Sequence, residues 1–348
     1  MKYYLSVLAI FKNEGHCINE WIKHYILEGV EHFYLIDNGS TDDYMISLEY
    51  TIKVDIIIDP TNHCQNEHYN KYLRKIKEET EWIMVIDLDE FMYSRKGYNT
   101  IPEYLKTIDD SIEQIGVSWK MFGSSGYIFQ PSTIIDNFVY RHVFPVDKLS
   151  GIKCIVRTRK LTEINLHISS IDDISIYYDI SFKEFITGIE NYKQVSNESY
   201  IEDNGLHLNH YPIQSFEWYK DVKMTRGDAS NPNSNNVRNV DYFNKYENTN
   251  GILDDELKRK RTIIPISLNV MPDIIVYGIG TIYIDVSDKE INLGTSFNTQ
   301  FGDPVPGQKK YLIIRRNNTL IVYDEVVSKE KRNYFRPNVL KYFKTLVT

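Results

Sequence analysis

Trp82-Ile83-Met84-Val85-Ile86-Asp87-Leu88-Asp89-Glu90-Phe91 is the stretch from which the fold can be read. Five apolar residues follow one another with charge on both sides, the pattern of a strand buried in the middle of a parallel sheet. Two carboxylates then fall at alternate positions, so at the strand's carboxyl end Asp87 and Asp89 are expected to point the same way, about 6 to 7 Å apart. Two hard oxygen ligands with open positions beside them suit Mg²⁺ or Mn²⁺, ions that keep sites for water and phosphate oxygens. D-x-D is common by chance; its place after a buried strand gives it weight.

Working back from this strand, residues 3 to 11 read as a first strand, and Ile18, Trp21, Ile22 and Tyr25 at i, i+3, i+4, i+7 read as an amphipathic helix that stops at Gly29. A second strand runs from Glu31 to Ile36 into the turn Asp37-Asn38-Gly39-Ser40-Thr41, and a third from Val54 to Ile58. Tyr69, Tyr72, Leu73 and Ile76 mark another helix. Strands alternating with helices imply an α/β fold with a doubly wound, mainly parallel sheet. Ligands bind such sheets outside the carboxyl ends of the strands. The polar loops at 11–15, 37–43 and 87–91 are all expected there.

Composition removes several classes. The 348 residues carry a formal charge of −8 and no long Lys/Arg run, so the electrostatic footprint of a nucleic-acid binder is missing. Neither a dinucleotide fingerprint nor a P-loop is present. Three scattered cysteines match no zinc or redox pattern and read as reduced thiols of a cytoplasmic protein, and the apolar start is too short for a transmembrane segment.

The blocks Leu8-Ala9-Ile10-Phe11-Lys12-Asn13-Glu14, Ile36 to Asp42, Gln65 with Tyr69-Asn70, Asp87 to Phe91, Trp119 to Gly126, and Asn209-His210-Tyr211 with Ser215 to Tyr219 and Arg226-Gly227 occur in order along the chain. Together they resemble the family 2-like and family 92-like glycosyltransferases with the GT-A fold, over about the first two thirds of the chain. The resemblance implies inverting transfer of a sugar from a nucleotide-sugar, usually with Mn²⁺ or Mg²⁺. It implies donor contacts from Phe11, Asn13, Glu14 and Asp37, with Asn66 and Asn70 reaching the nucleotide from the third helix. Asp89 is the implied metal ligand, Asp87 touches metal or ribose, and His210 stands where the family has a third ligand. His207, three residues earlier, would face the other way in a strand. Lys153 and Arg157 are candidates to offset diphosphate charge.

A single displacement needs a carboxylate within about 3 Å of the acceptor hydroxyl, or one water away. Glu217 and Asp228 are candidates for this base, with Glu90 and Asp203 behind them. Pro212 to Arg226 reads as a helix, although Lys223 falls where an apolar residue should be. Residues 1–227 are therefore expected to form the transferase domain and 228–260 an Asn-rich loop and charged linker. Residues 261–348 would form a smaller β-rich domain with a hairpin of Tyr311–Arg316 and Thr319–Tyr323. The expected function is sugar transfer, with UDP-sugar the default donor, to a carbohydrate acceptor. The alternatives are a carbohydrate-binding or scaffolding protein and a sugar-phosphate nucleotidyltransferase.

Overall fold

The computed structural model describes residues 1–51, 53–143, 150–172, 177–179, 184–186, 193–194, 198–227, 229, 238–247, 251–263, 274–279, 282–286, 296–304, 306–307, 310–316 and 319–324. The chain divides into two compact units: residues 1–41 with 53–264, and residues 42–52 with 265–348.

The first unit is built on strands β1 (Tyr3–Phe11), β2 (His32–Asp37), β3 (Val54–Ile58) and β4 (Thr80–Val85), which lie side by side in the order β3-β2-β1-β4, all parallel. Apolar runs direct this, because a strand covered on both faces has no polar side to present. Leu5, Val7, Leu8 and Ala9 of β1 and Phe33 to Ile36 of β2 are fully buried, and burial of a large aliphatic side chain stabilises by about 1.5–3 kcal/mol. The order reverses between β1 and β4, and in open parallel sheets ligands bind beyond the carboxyl ends of the strands at such a reversal.

Beyond β4 the sheet turns mixed. Strand β5 (Glu90–Ser94) comes almost at once, then β6 (Gln114–Met121), β7 (Ser150–Arg157) and β8 (Leu206–His210). β7 runs antiparallel between β4 and β6, while β8 pairs parallel with the end of β6 and antiparallel with β5. Helix α1 (Ile18–Leu27) buries Ile18, Trp21, Ile22 and Tyr25, the four positions its periodicity marks. It stops at Gly29, whose φ of +90° and close approach to Pro102 leave no room for a side chain. The helix expected around Tyr69–Ile76 is two short ones, Gln65–Asn70 and Leu73–Glu79. No described helix is long and apolar enough to cross a membrane.

The described part of 228–260, expected as linker, is fastened into the first unit. Asp254 accepts hydrogen bonds from Lys120 at 2.8 Å and Arg141 at 2.6 Å, Glu256 accepts from Arg95 at 2.9 Å, and Lys260 reaches the buried Glu28 at 2.7 Å. Charged residues that look solvated in sequence here face buried opposite charges. In the second unit four antiparallel strands run in the order Ile282–Asp285, Ile274–Ile279, Tyr311–Arg316, Thr319–Asp324 around Tyr277, Val286, Phe297 and Leu312. The last two strands pair Arg316 with Thr319, as the alternating pattern predicts.

Candidate active site

Beyond the carboxyl end of β4 the D-x-D residues are not in a strand. β4 ends at Val85, and Asp87-Leu88-Asp89 forms a tight turn closed by the Glu90 amide donating to the Asp87 carbonyl at 3.1 Å. The Asp87 amide in turn donates to the Glu90 carboxylate at 3.0 Å. The expected alternation of Asp87 and Asp89 along an extended strand is therefore corrected: hydrogen bonds across the turn, not pleating, orient the carboxylates. Helix α1 braces the turn from behind. The Trp21 indole donates to the carbonyls of Asp87 and Glu90, each at 3.0 Å, and the Tyr25 hydroxyl donates to the Glu90 carbonyl at 3.0 Å.

Strand register brings a histidine to this turn. His210 is paired directly with Glu90 across the β5–β8 ladder, so the two side chains share a face. Ligand atoms of Asp89, Glu90 and His210 lie within 4.8 Å of one another, all three residues buried, and His210 Nε2 stands 3.7 Å from Asp89 Oδ1. Glu90 Oε1 and His210 Nδ1 are buried with no hydrogen-bond partner. Two carboxylates and an imidazole with bonding capacity left over fit a divalent cation that takes mixed oxygen and nitrogen ligands. His207, at odd spacing from His210, faces away and bonds the Tyr93 hydroxyl and the Ile201 carbonyl.

Three cations surround these carboxylates. Lys153, fully buried, contacts Asp87 at 3.0 Å and Glu90 at 3.6 Å. Lys223 donates to Asp89 Oδ2, the oxygen not facing His210. Arg226 contacts Glu14 at 2.9 Å and donates to the Lys12 carbonyl at 3.0 Å. Burial works to protonate Asp89, yet Lys223, and after it His210 and Arg226, hold its pKa below the ordinary value. Glu90 goes the other way: burial pushes it well above the usual range, against the pull of Lys153. Burial also pushes His210 down to about 4, which keeps the imidazole neutral and its lone pair available at neutral pH.

The remaining candidates divide. Phe11 is buried at the end of β1. Asn13, at a φ of +56°, accepts from the Thr41 amide at 2.7 Å, while its own amide donates to Ser40. Asp37 accepts from the Ser40 amide at 2.7 Å, so these residues join the first two loops at the sheet's carboxyl edge. Asn66 and Asn70 bond the 164–165 loop. Asn70 accepts from the Ile164 amide and donates to the Ile164 carbonyl, and Asn66 donates to Asn165. Glu217 is exposed and accepts from the Gln130 amide at 3.0 Å, which anchors the 122–138 loop. Asp228, and the side chain of Asp203, lie outside the described residues.

Lys223 and Arg226 escaped the sequence reading as site residues. The segment expected as a regular helix is a short turn, Phe216–Trp218, that widens into a π-helical turn over Tyr219–Lys223, marked by the Met224 amide donating to the Tyr219 carbonyl at 2.8 Å. Such turns carry one extra residue and gather at functional sites. The signal in the sequence was the lysine interrupting the apolar spacing.

Comparison with known proteins bears on this site. A glycosyltransferase family 92 protein of Ricinus communis is 26% identical over 135 residues, 37% of this chain and 24% of that one. One of Arabidopsis thaliana is 28% identical over 97 residues, 27% of this chain and 17% of that one. The chain thus spans a quarter or less of the length of these relatives. A Bacillus anthracis structure named for glucose-1-phosphate thymidylyl transfer matches 63% of this chain and 75% of its own, with a TM-score of 0.26 and 9% identity, too loose a likeness to carry weight. The sequence model of glycosyltransferase family 92 matches residues 5–241, which include the D-x-D turn, β8 and the π-helical turn, and the chain belongs to that family.

Proposed function

We propose that this protein is a metal-dependent, inverting glycosyltransferase that moves a sugar from a nucleotide-sugar, a UDP-sugar by preference, to a hydroxyl of a glycan or polysaccharide. The observation that carries the reading is the buried group of Asp89, Glu90 and His210 at the point where the strand order reverses, with Glu90 Oε1 and His210 Nδ1 unpartnered. These three would hold Mn²⁺ or Mg²⁺. When bound, such an ion supplies positive charge against a departing diphosphate.

The chain's own groups do the rest. The loops after β1 and β2, cross-linked through Asn13, Asp37 and Ser40, form the wall on which a nucleoside would lie. Lys153 holds Asp87 beside Glu90, so the turn keeps its shape as ligands enter. Family membership supports sugar transfer, and Cys17, Cys64 and Cys154, held as thiols outside any disulfide, go with a reducing, cytoplasmic setting.

The test is a thermal-shift panel of UDP, GDP, dTDP and CMP with and without Mn²⁺. A ligand at a hundred times its Kd adds about 2.7 kcal/mol to the native state. One nucleotide is expected to give a Mn²⁺-dependent shift that Asp89→Asn abolishes while the variant stays folded. No shift with a folded sample would favour a carbohydrate-binding protein, and wild-type affinity in Asp89→Asn would sink the site.

A further inference from the structure

Trp119 on β6 stands between two histidines. Its ring centre lies 4.5 Å from that of His210 and 5.5 Å from that of His167, so the width of one indole separates the two imidazoles. Gly151 seats that indole: a Cβ there would meet the Trp119 ring at 2.0 Å. His167 is also tied to the D-x-D turn, because the Lys153 ammonium that contacts Asp87 at 3.0 Å donates to the Leu166 carbonyl at 3.2 Å. The His167 Nδ1 lies 2.9 Å from the Ile152 carbonyl. A carbonyl only accepts, so Nδ1 carries the proton of the neutral ring and Nε2 carries a lone pair. Burial, then the Lys153 ammonium and last His210 push this imidazole down to about 4, against the Ile152 bond and Asp87, so the ring is neutral at pH 7.

We propose that His167, through Nε2, is the general base that takes the proton of the acceptor hydroxyl; this rests on the sugar-transfer reading above. In a single displacement the leaving diphosphate and the attacking oxygen lie on opposite sides of the anomeric carbon, so the base belongs across the sugar from the groups that hold the diphosphate. His167 meets that condition at one indole's width from His210, whereas Glu90 lies in the same buried group as His210 and does not. His167 and Trp119 are both partly exposed, so a ligand can reach them. As the acceptor oxygen forms its bond to the anomeric carbon, the O–H bond breaks and the proton passes to Nε2. The bond from the anomeric carbon to the phosphate oxygen breaks, and its electron pair leaves with the nucleoside diphosphate. The imidazolium keeps its Nδ1–H on the Ile152 carbonyl, which holds the ring in one orientation through the step. An imidazole thus fills the role for which the sequence offered Glu217, a carboxylate already engaged with the Gln130 amide.

The test offers water as the acceptor. UDP-glucose, UDP-galactose and UDP-N-acetylglucosamine, or the corresponding set for the base the panel selects, are incubated with Mn²⁺ and the release of UDP is followed, beside titration calorimetry with UDP. His167→Asn keeps an N–H donor for the Ile152 carbonyl, and it is expected to lower kcat for release at least a hundredfold, within the about 10²–10⁴-fold that a general base supplies. Its Kd for UDP stays within threefold of wild type. His167→Gln serves in its place if that variant does not fold. Nitrogen-15 spectra of the histidines give a reading free of turnover: His167 is expected to show a protonated Nδ1 and a bare Nε2 at pH 7. A smaller loss of kcat, a loss of UDP affinity that matches it, a proton on Nε2, or a wild type that binds UDP and releases none from any of the three donors overturns the base and leaves the donor reading standing. No wild-type binding of any nucleotide overturns both.

Discussion

Two buried charge clusters use the same strands and similar residues, yet one is closed and the other open. Toward one end of β5 and β8, Tyr93 is paired with His207; toward the other, Glu90 is paired with His210. Around the first pair, Lys120 donates to the Tyr93 hydroxyl at 3.0 Å and to Asp254, Arg141 contacts Asp254 and Glu198, and both nitrogens of His207 are bonded. Around the second, Glu90 Oε1 and His210 Nδ1 are left over. Carboxylate, histidine and lysine do not by themselves mark a site. A network with every group satisfied fastens the chain, here the 251–263 segment to the sheet, whereas spare bonding capacity in a buried cluster is an invitation to a ligand.

The comparison breaks first at Asp254. Asp254→Ala leaves Lys120 and Arg141 in the interior short of a counter-charge, and removal of one partner from a buried pair costs about 3–5 kcal/mol. Urea denaturation at pH 7 measures the loss; a change below about 1 kcal/mol would mean that this cluster is not a fastening.

A smaller effect comes from His207, which burial, and after it Lys120, push down to about 4. The unfolded imidazole titrates near 6.5. Because the folded state keeps this histidine neutral, its contribution is complete above about pH 6.5 and is lost as pH falls toward 4. Between pH 7 and 4.5, His207→Gln is expected to lose less stability than wild type by an amount of order 2 kcal/mol. Parallel pH profiles would refute the neutral assignment. As the control, the exposed pair Arg74–Glu78 lies at 2.9 Å on a solvent face. Arg74→Ala should move the urea midpoint by less than about 0.5 kcal/mol in free energy.

Much of the parallel half of the sheet is legible because burial on both faces writes itself as apolar runs: Leu5 to Phe11, Phe33 to Ile36 and Trp82 to Ile86 carry the strand order's raw material. Asp89 and His210 are legible through short blocks around them. Glu90 as their companion is not, because its pairing with His210 depends on a register between strands more than a hundred residues apart. Asn66 and Asn70 show what a sequence pattern does not contain: amides bond loop groups as readily as ligand, and here they bond the 164–165 loop. Asp87 and Asp89 obey turn hydrogen bonds that an extended reading does not contain.

The π-helical turn at Tyr219–Lys223 makes the site depend on chain length as well as residue identity. Each residue added to a helix rotates the rest of that helix by about 100°. Deleting Lys220 or Asp221 would leave a better helix, with the other side chains of 216–226 unchanged in type, and would carry Lys223 and Arg226 around to another face. A reading frame that gained a single codon at this point could have acquired both cations at once, and homologues that lack that codon would be expected to meet Asp89 with something else.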